Sequence, residues 1–340
     1  MCIRHTRQAT APALLMGLLI VSLVACAVDE DGPAAPGLGG EDCVARTPAA
    51  GVYAGPLYDT HAHADLSSAP AALDCLADRH NLRTLVLFAG QTGGDNAGNR
   101  VHNWMSPYAP RFLPFVHLDP KSVSDVSVTE LDRALARTPQ IRGVGELALY
   151  RPPWQANHLS DPPWASLFQW AAQKNMWLMI HPRSDQIDEL ETILAAYPNT
   201  KVLVHTAWNA SDMPRLLQTY ANIYFTIDAA TLISVEQPSG SVDVLMSPVT
   251  GGKDEFIQRY DVERDAILLD SYQRWSPTML AAPDRVMWGT DTFAAWHYDP
   301  AVYDRIMDFA RRWTAMLPAE LREAYAYRNA ERLLGSGPQF

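Results

Sequence analysis

The feature that most constrains this chain is an alternation. Short apolar runs of β-strand character take turns with stretches of helical periodicity. The strand-like runs are residues 57–61, 84–89, 112–117, 141–146, 176–181, 201–205, 222–227 and 285–291. Between them, 69–80, 126–137, 164–175, 185–197 and 211–220 read as helices. Val128, Leu131 and Leu135 share one face of the second of these, and Asp161-Pro162-Pro163 is a helix start. Gln91–Asn96 is a loop. After the seventh run the rhythm stretches. Residues from about 229 to 280 carry Pro238, Gly240, Pro248, Gly251 and Gly252, with a helical piece near Asp261–Tyr272. This reads as an insertion on the seventh unit. Pro300–Leu317 and Pro318–Leu334 read as closing helices. Strand–helix alternation implies a parallel sheet. Eight such units predict an α/β chain folded as a (β/α)8 TIM barrel with an insertion after strand 7. The alternative is an open doubly wound sheet, but there is no Gly-x-Gly-x-x-Gly or phosphate loop to support it.

The 340 residues, 48% of them apolar, are ample for such a core, and the formal charge of −11 argues against a nucleic-acid surface. The N-terminus reads differently from the body. Arg4, His5 and Arg7 precede an apolar stretch from Ala11 to Ala25, too short and broken for a good membrane span. It ends Leu23-Val24-Ala25-Cys26, the anatomy of an export signal. Its final four residues resemble the bacterial lipoprotein signal, which implies lipidation at Cys26 after removal of residues 1–25; an ordinary secretory signal is the alternative. Ala27 after the cysteine favours the outer membrane by resemblance to Gram-negative sorting rules. The expected location is therefore the cell envelope, outer membrane or periplasmic side, with a lipid anchor as the only membrane contact. Residues 26–52 are small, acidic and rich in Gly and Pro, and read as a flexible tether. The globular body is expected over 53–336. Cys43 and Cys75 are the two cysteines left over; in an exported chain they can pair, or remain thiols.

Chemistry-bearing residues gather at the C-terminal ends of the strand-like runs. Strand one runs into Asp59-Thr60-His61-Ala62-His63, where alternation would point both imidazoles one way. Glu146 ends the fourth run, His181 the fifth, His205 the sixth and Asp291 the eighth. In a barrel those ends converge on the mouth. Four histidines and two carboxylates there suit one or two divalent metals, zinc first, with Mn, Fe or Co also compatible. His117 is read as a packed structural side chain, and His80, His102 and His158 as surface residues.

The set resembles the amidohydrolase superfamily. Asp-Thr-His-Ala-His at 59–63 is similar to its strand-one motif. Val202–His205, Met287–Asp291 and Arg328-Asn329-Ala330-Glu331-Arg332-Leu333 resemble its amidohydrolase-related branch, and Gly143-Val144-Gly145-Glu146 resembles the TatD-type branch. The likeness covers roughly 53–335. It implies that His61 and His63 bind a first metal, His181 and His205 a second, and Glu146 both. It also implies that Asp291 binds the first metal and takes a proton from the attacking water. Many two-metal relatives use a carboxylated lysine at strand four; this chain has none there. That leaves a Glu-bridged pair or a single metal. The expected activity is metal-dependent hydrolysis of an amide, ester, lactone or phosphoester in a small molecule. A one-metal decarboxylase or lyase of the same fold and a non-catalytic surface binding protein are the alternatives. For substrate contacts the candidates are Arg183, Trp208, Tyr150 and His297, with Trp154 and Trp288 as further wall residues. Arg183 could equally pair with Asp185.

Overall fold

In the computed structural model the described residues are 36–64, 69–89, 103, 106–108, 110–116, 128–149, 158–206, 208, 210–236, 242–247 and 251–335. The leader, Cys26, the first part of the expected tether, the 91–96 loop, His102, His117, Tyr150 and Trp154 lie outside them.

Strands β1 (Leu57–Ala64), β2 (Leu82–Ala89), β3 (Phe112–Val116), β4 (Gly143–Ala148), β5 (Trp177–His181), β6 (Lys201–Val204) and β7 (Ile223–Asp228) follow in chain order. A short hairpin, β8 (Ser234–Glu236) and β9 (Val242–Val244), precedes the last barrel strand, β10 (Val286–Gly289). The eight barrel strands stand side by side in the order β1 to β7 then β10, every neighbouring pair parallel. The ring is nearly closed. Just past β10, Asp291 N donates to His61 O at 2.7 Å, and His63 N donates to Thr292 O at 2.9 Å. A side chain at Gly289 would put a Cβ 3.0 Å from His61 N and His61 Cβ, so the closing strands approach this tightly only because a glycine stands there. Strands buried on both faces explain the unbroken apolar runs: β3, β4 and β5 are buried throughout.

The helices are α1 (Ala69–His80), α2 (Val128–Arg137), α3 (Pro162–Lys174), α4 (Ile187–Ala196), α5 (Met213–Thr219), α6 (Ala229–Leu232), α7 (Lys253–Ala281), α8 (Pro300–Met316), α9 (Ala319–Glu323) and α10 (Asn329–Leu334). Trp164, Trp275 and Trp313, on α3, α7 and α8, are wholly buried. No described helix is long and apolar enough to cross a membrane.

Three expectations need correction. The helical piece expected near 261–272 is the middle of the 29-residue α7. Its apolar periodicity is blurred because Val262, Leu269 and Leu280 face out while Ser271, Ser276 and Thr278 are buried. Within the tether expected over 26–52, residues 40–46 are seated on the barrel. Cys43 is bonded to Cys75 of α1, with sulfurs 2.01 Å apart. Arg79 Nη1 donates to the Glu41 and Asp42 carbonyls at 3.2 and 3.1 Å, and Arg46 N donates to Arg79 O at 2.8 Å. The buried Arg311 guanidinium continues this seam, donating to the carbonyls of Tyr53, Gly55 and His80 at 2.9, 2.8 and 2.6 Å. A buried cation demands such partners. Lastly, His80 is buried at 7% exposure, with Nε2 3.0 Å from Asp304 Oδ1.

Candidate metal centre

β1 carries a register shift between Asp59 and Ala62, so its face is not set by simple alternation. The two imidazoles converge nevertheless, with His61 Nε2 3.0 Å from His63 Nε2. Asp59 holds this bend from below, accepting from His61 N at 3.0 Å, Thr290 N at 2.8 Å and Thr290 Oγ1 at 2.6 Å. Burial pushes its carboxyl up to about 7, against those hydrogen bonds. Asp291 follows β10 with φ of 54°, a left-handed conformation that aspartate tolerates better than most side chains. Its Oδ1 lies 3.5 Å from His61 Nε2 and 3.4 Å from His63 Nε2.

Glu146 enters from β4. At Gly145, before it, φ is +146° and a Cβ would stand 2.7 Å from Met179 O, which makes glycine a requirement of the approach to β5. Glu146 Oε2 faces His63 Nε2 at 3.6 Å. Its Oε1 lies 2.8 Å from His181 Nδ1 and 2.7 Å from His205 Nε2. The structure thus brings together His61, His63, Glu146, His181, His205 and Asp291. It adds a carboxylate that the sequence pattern does not single out. Asp228, the last residue of β7, has Oδ2 2.8 Å from His205 Nδ1 and 3.4 Å from His61 Nδ1. Its place at a strand end is the available signal, but the apolar run over 222–227 stops one residue short of it.

Charge in this cluster is strongly coupled. Burial raises the Glu146 carboxyl, but His205 and His181 outweigh it and hold the group well below the usual carboxylate range. Burial likewise opposes the Asp228 anion, and His205 and His61 pull its pKa down. Burial disfavours charged His205 too, yet Asp228 and Glu146 raise its pKa well above the usual value. His181 is lowered to about 4 by burial and by His205.

The donor set fits a divalent cation. Tetrahedral zinc with bonds of about 2.0–2.2 Å separates its ligand atoms by about 3.3–3.6 Å. The contacts among His61, His63, Asp291 and Glu146 Oε2 run from 3.0 to 3.6 Å. Around Glu146 Oε1 the imidazoles are drawn to hydrogen-bond distance, 2.8 Å for His181 Nδ1 and 2.7 Å for His205 Nε2, and a bound cation would take the place of any proton shared there. Three overlapping groups here, His61/His205/Asp228/Asp291, His61/His63/Glu146 and Glu146/His181/His205, have ligand atoms within 4.8 Å of one another.

The expected substrate residues divide. The Trp208 ring stands 5.2 Å from that of His181, forming a wall beside the cluster. Arg183 Nε is 2.9 Å from Asp185 Oδ1, and its side chain keeps 20% exposure near the mouth. His297 is committed elsewhere: Nδ1 accepts from Phe293 N at 3.1 Å and Ala294 N at 3.2 Å, and Nε2 donates to Met246 O at 2.8 Å. Fully buried, it pins the loop after β10 to the insertion and offers no nitrogen to a substrate. Trp288 is likewise fully buried and is no wall residue. Phe293, which no motif marks, sets its ring 6.3 Å from His63.

Solved structures share this architecture. An amidohydrolase from Burkholderia multivorans, solved with bound zinc, matches with a TM-score of 0.57 and 14% identity over 83% of this chain and 99% of its own. A probable 2-pyrone-4,6-dicarboxylic acid hydrolase from Acinetobacter baumannii, solved with citric acid, gives 0.51 and 15% over 82% and 99%. A putative amidohydrolase from Staphylococcus aureus gives 0.52 and 13% over 83% and 99%. At such identities the likeness speaks for the fold. No curated protein matches the chain. The family model of the amidohydrolases matches residues 58–336, nearly the whole barrel. The chain belongs to the amidohydrolase family.

Proposed function

We propose that this protein is a metal-dependent hydrolase of a small molecule carrying an amide, ester, lactone or phosphoester bond. The observation that carries the reading is the position of Glu146, whose two oxygens serve two separate groups of imidazoles, Oε2 toward His63 and Oε1 toward His181 and His205. A single-ion centre would leave one side of that carboxylate without a task. Divalent metal bound there acidifies a water and polarises the oxygen of the scissile group.

The chain's own residues supply the rest. Asp291 is the most accessible carboxylate of the cluster, its side chain 14% exposed where Glu146 keeps 4%. It therefore meets water and substrate, accepts the proton of the attacking water at a carboxylate oxygen, and returns it to the leaving group. Trp208 and Phe293 flank His181 and His63 and exclude bulk solvent. Arg183, at the mouth, exchanges Asp185 for an anionic part of the substrate. The anatomy of residues 1–26 supports an exported, lipid-anchored enzyme; metabolic labelling with palmitate, abolished in Cys26→Ser, tests that part.

The deciding experiment is metal analysis of the purified protein followed by a panel of ester, lactone, amide and phosphoester substrates, each with and without chelator. Two ions per chain with chelator-sensitive hydrolysis are expected. One ion with release of CO2 from an aromatic acid would replace this reading by the decarboxylase, and tight ligand binding without turnover by a binding protein.

A further inference from the structure

Asp228 has no part in the proton transfers assigned above, yet it sits at the centre of the cluster. Its burial is complete, so neither water nor substrate reaches it. One of its oxygens is already spent: Oδ1 accepts from Thr231 N at 2.8 Å and caps α6. The other, Oδ2, lies between two rings, 2.8 Å from His205 Nδ1 and 3.4 Å from His61 Nδ1. Both rings turn their Nε2 atoms the other way. His61 Nε2 faces His63 and Asp291, and His205 Nε2 faces Glu146. These are the two separate groups that Glu146 joins from the front.

We infer that Asp228 is a positioning residue that ties the two halves of the metal centre together from behind, one carboxylate oxygen holding His61 and His205 at once. The inference rests on the two-ion reading of the site and deepens it. Neutral imidazole carries one N–H, and only the tautomer protonated at Nδ1 leaves the Nε2 lone pair for a cation. A carboxylate at Nδ1 selects that tautomer and fixes the ring's orientation. Here one carboxylate oxygen meets the Nδ1 of one ligand of each group, as a hydrogen bond to His61 and as a close charge contact to His205, and the cap on α6 fixes the carboxylate itself. Thr231 Oγ1 also donates to Thr206 O at 3.3 Å, linking the cap to the residue after His205. Loss of the Asp228 charge therefore weakens both ions together, whereas loss of a front-side ligand such as Asp291 weakens chiefly one.

The test is zinc competition against a chromophoric chelator on full-length wild type, Asp228→Asn and Asp291→Asn. Alongside it, 15N spectra of the imidazoles in the zinc-loaded wild type are recorded. Asparagine still caps a helix, so the fold is retained, which the melting curve of the metal-free variant verifies. Its single acceptor oxygen cannot serve Thr231 and two rings. Asp228→Asn is expected to weaken both zinc ions by about 10–100-fold each, and Asp291→Asn mainly one. The wild-type spectra are expected to show His61 and His205 both protonated at Nδ1. Wild type that binds no zinc overturns the two-ion reading and this inference with it. Wild type with two tight ions, but Asp228→Asn unchanged or weakened at one ion only, overturns the tie alone. A proton on Nε2 of either ring in the wild-type spectra overturns it without recourse to any variant.

Discussion

Glu146 Oε2 and His63 Nε2 face each other at 3.6 Å although their strands, β4 and β1, are three places apart in the barrel. The same side chain reaches His181 and His205 with its other oxygen. In Glu146→Gln one oxygen becomes an amide nitrogen, which cannot bind a cation. Metal content is expected to fall from two ions to about one per chain, with loss of hydrolysis. Inductively coupled plasma analysis of the two proteins reads the change, and full retention of two ions would remove Glu146 from the bridging role.

Asp291→Asn keeps the shape and removes the proton acceptor at the rim. Turnover should fall by about 100- to 10,000-fold, the usual worth of a positioned acid–base group. A loss of substrate affinity with turnover unchanged would show that Asp291 only binds.

Metal removal should destabilise as well as inactivate, because the ligands of the native cluster are assembled only by folding. Free zinc at about 100 times its dissociation constant adds about 2.7 kcal/mol to the folded state. Thermal melts with chelator and with graded zinc should differ accordingly, and coincident melts would contradict the assignment of the cluster to a metal.

Away from the metal cluster, Asp304 pairs with Arg79 at 2.7 and 2.9 Å, with His80 at 3.0 Å, and with Arg46. Burial raises its carboxyl, but Arg79 and His80 outweigh this and depress it below the usual range. A carboxylate depressed by folding stabilises the native state above its ordinary pKa of about 4, and that contribution fades as acid titrates the folded form. Asp304→Asn should therefore cost about 1–3 kcal/mol near neutrality, a partly exposed group being at the low end. The gap between wild type and variant should narrow as the pH falls below about 4. Urea titrations at several pH values measure it, and a gap that widens in acid would contradict the sign.

The bond between Cys43 and Cys75, 32 residues apart, closes the N-terminal segment onto α1. Its removal in the Cys43→Ser/Cys75→Ser double variant should cost about 2–4 kcal/mol. Calorimetry with and without reductant tests this, since reductant should lower the melting temperature of wild type and leave that of the double variant unchanged.

Much of this molecule is legible in its sequence alone. Strands of a parallel barrel are buried on both faces, so they show as apolar runs, and the end of each run is where the chain emerges at the mouth. His61, His63, Glu146, His181, His205 and Asp291 are visible for that reason. The barrel expectation is met by the ring of β1 to β7 and β10.

What only the tertiary structure decided are relations between residues far apart in the chain. Asp228 acquires its meaning from His61 and His205, which lie 167 and 23 positions away along the chain but 3.4 and 2.8 Å away in space. The seating of residues 40–46 depends on α1 and α8, so composition alone makes that segment a tether. His297 has the sequence context of a mouth residue, yet its ring is held by Met246 O and two backbone N–H groups. Local pattern is set by neighbours in the chain and survives in the sequence. Partnership across a barrel depends on strand register and ring orientation, which one-dimensional order does not carry.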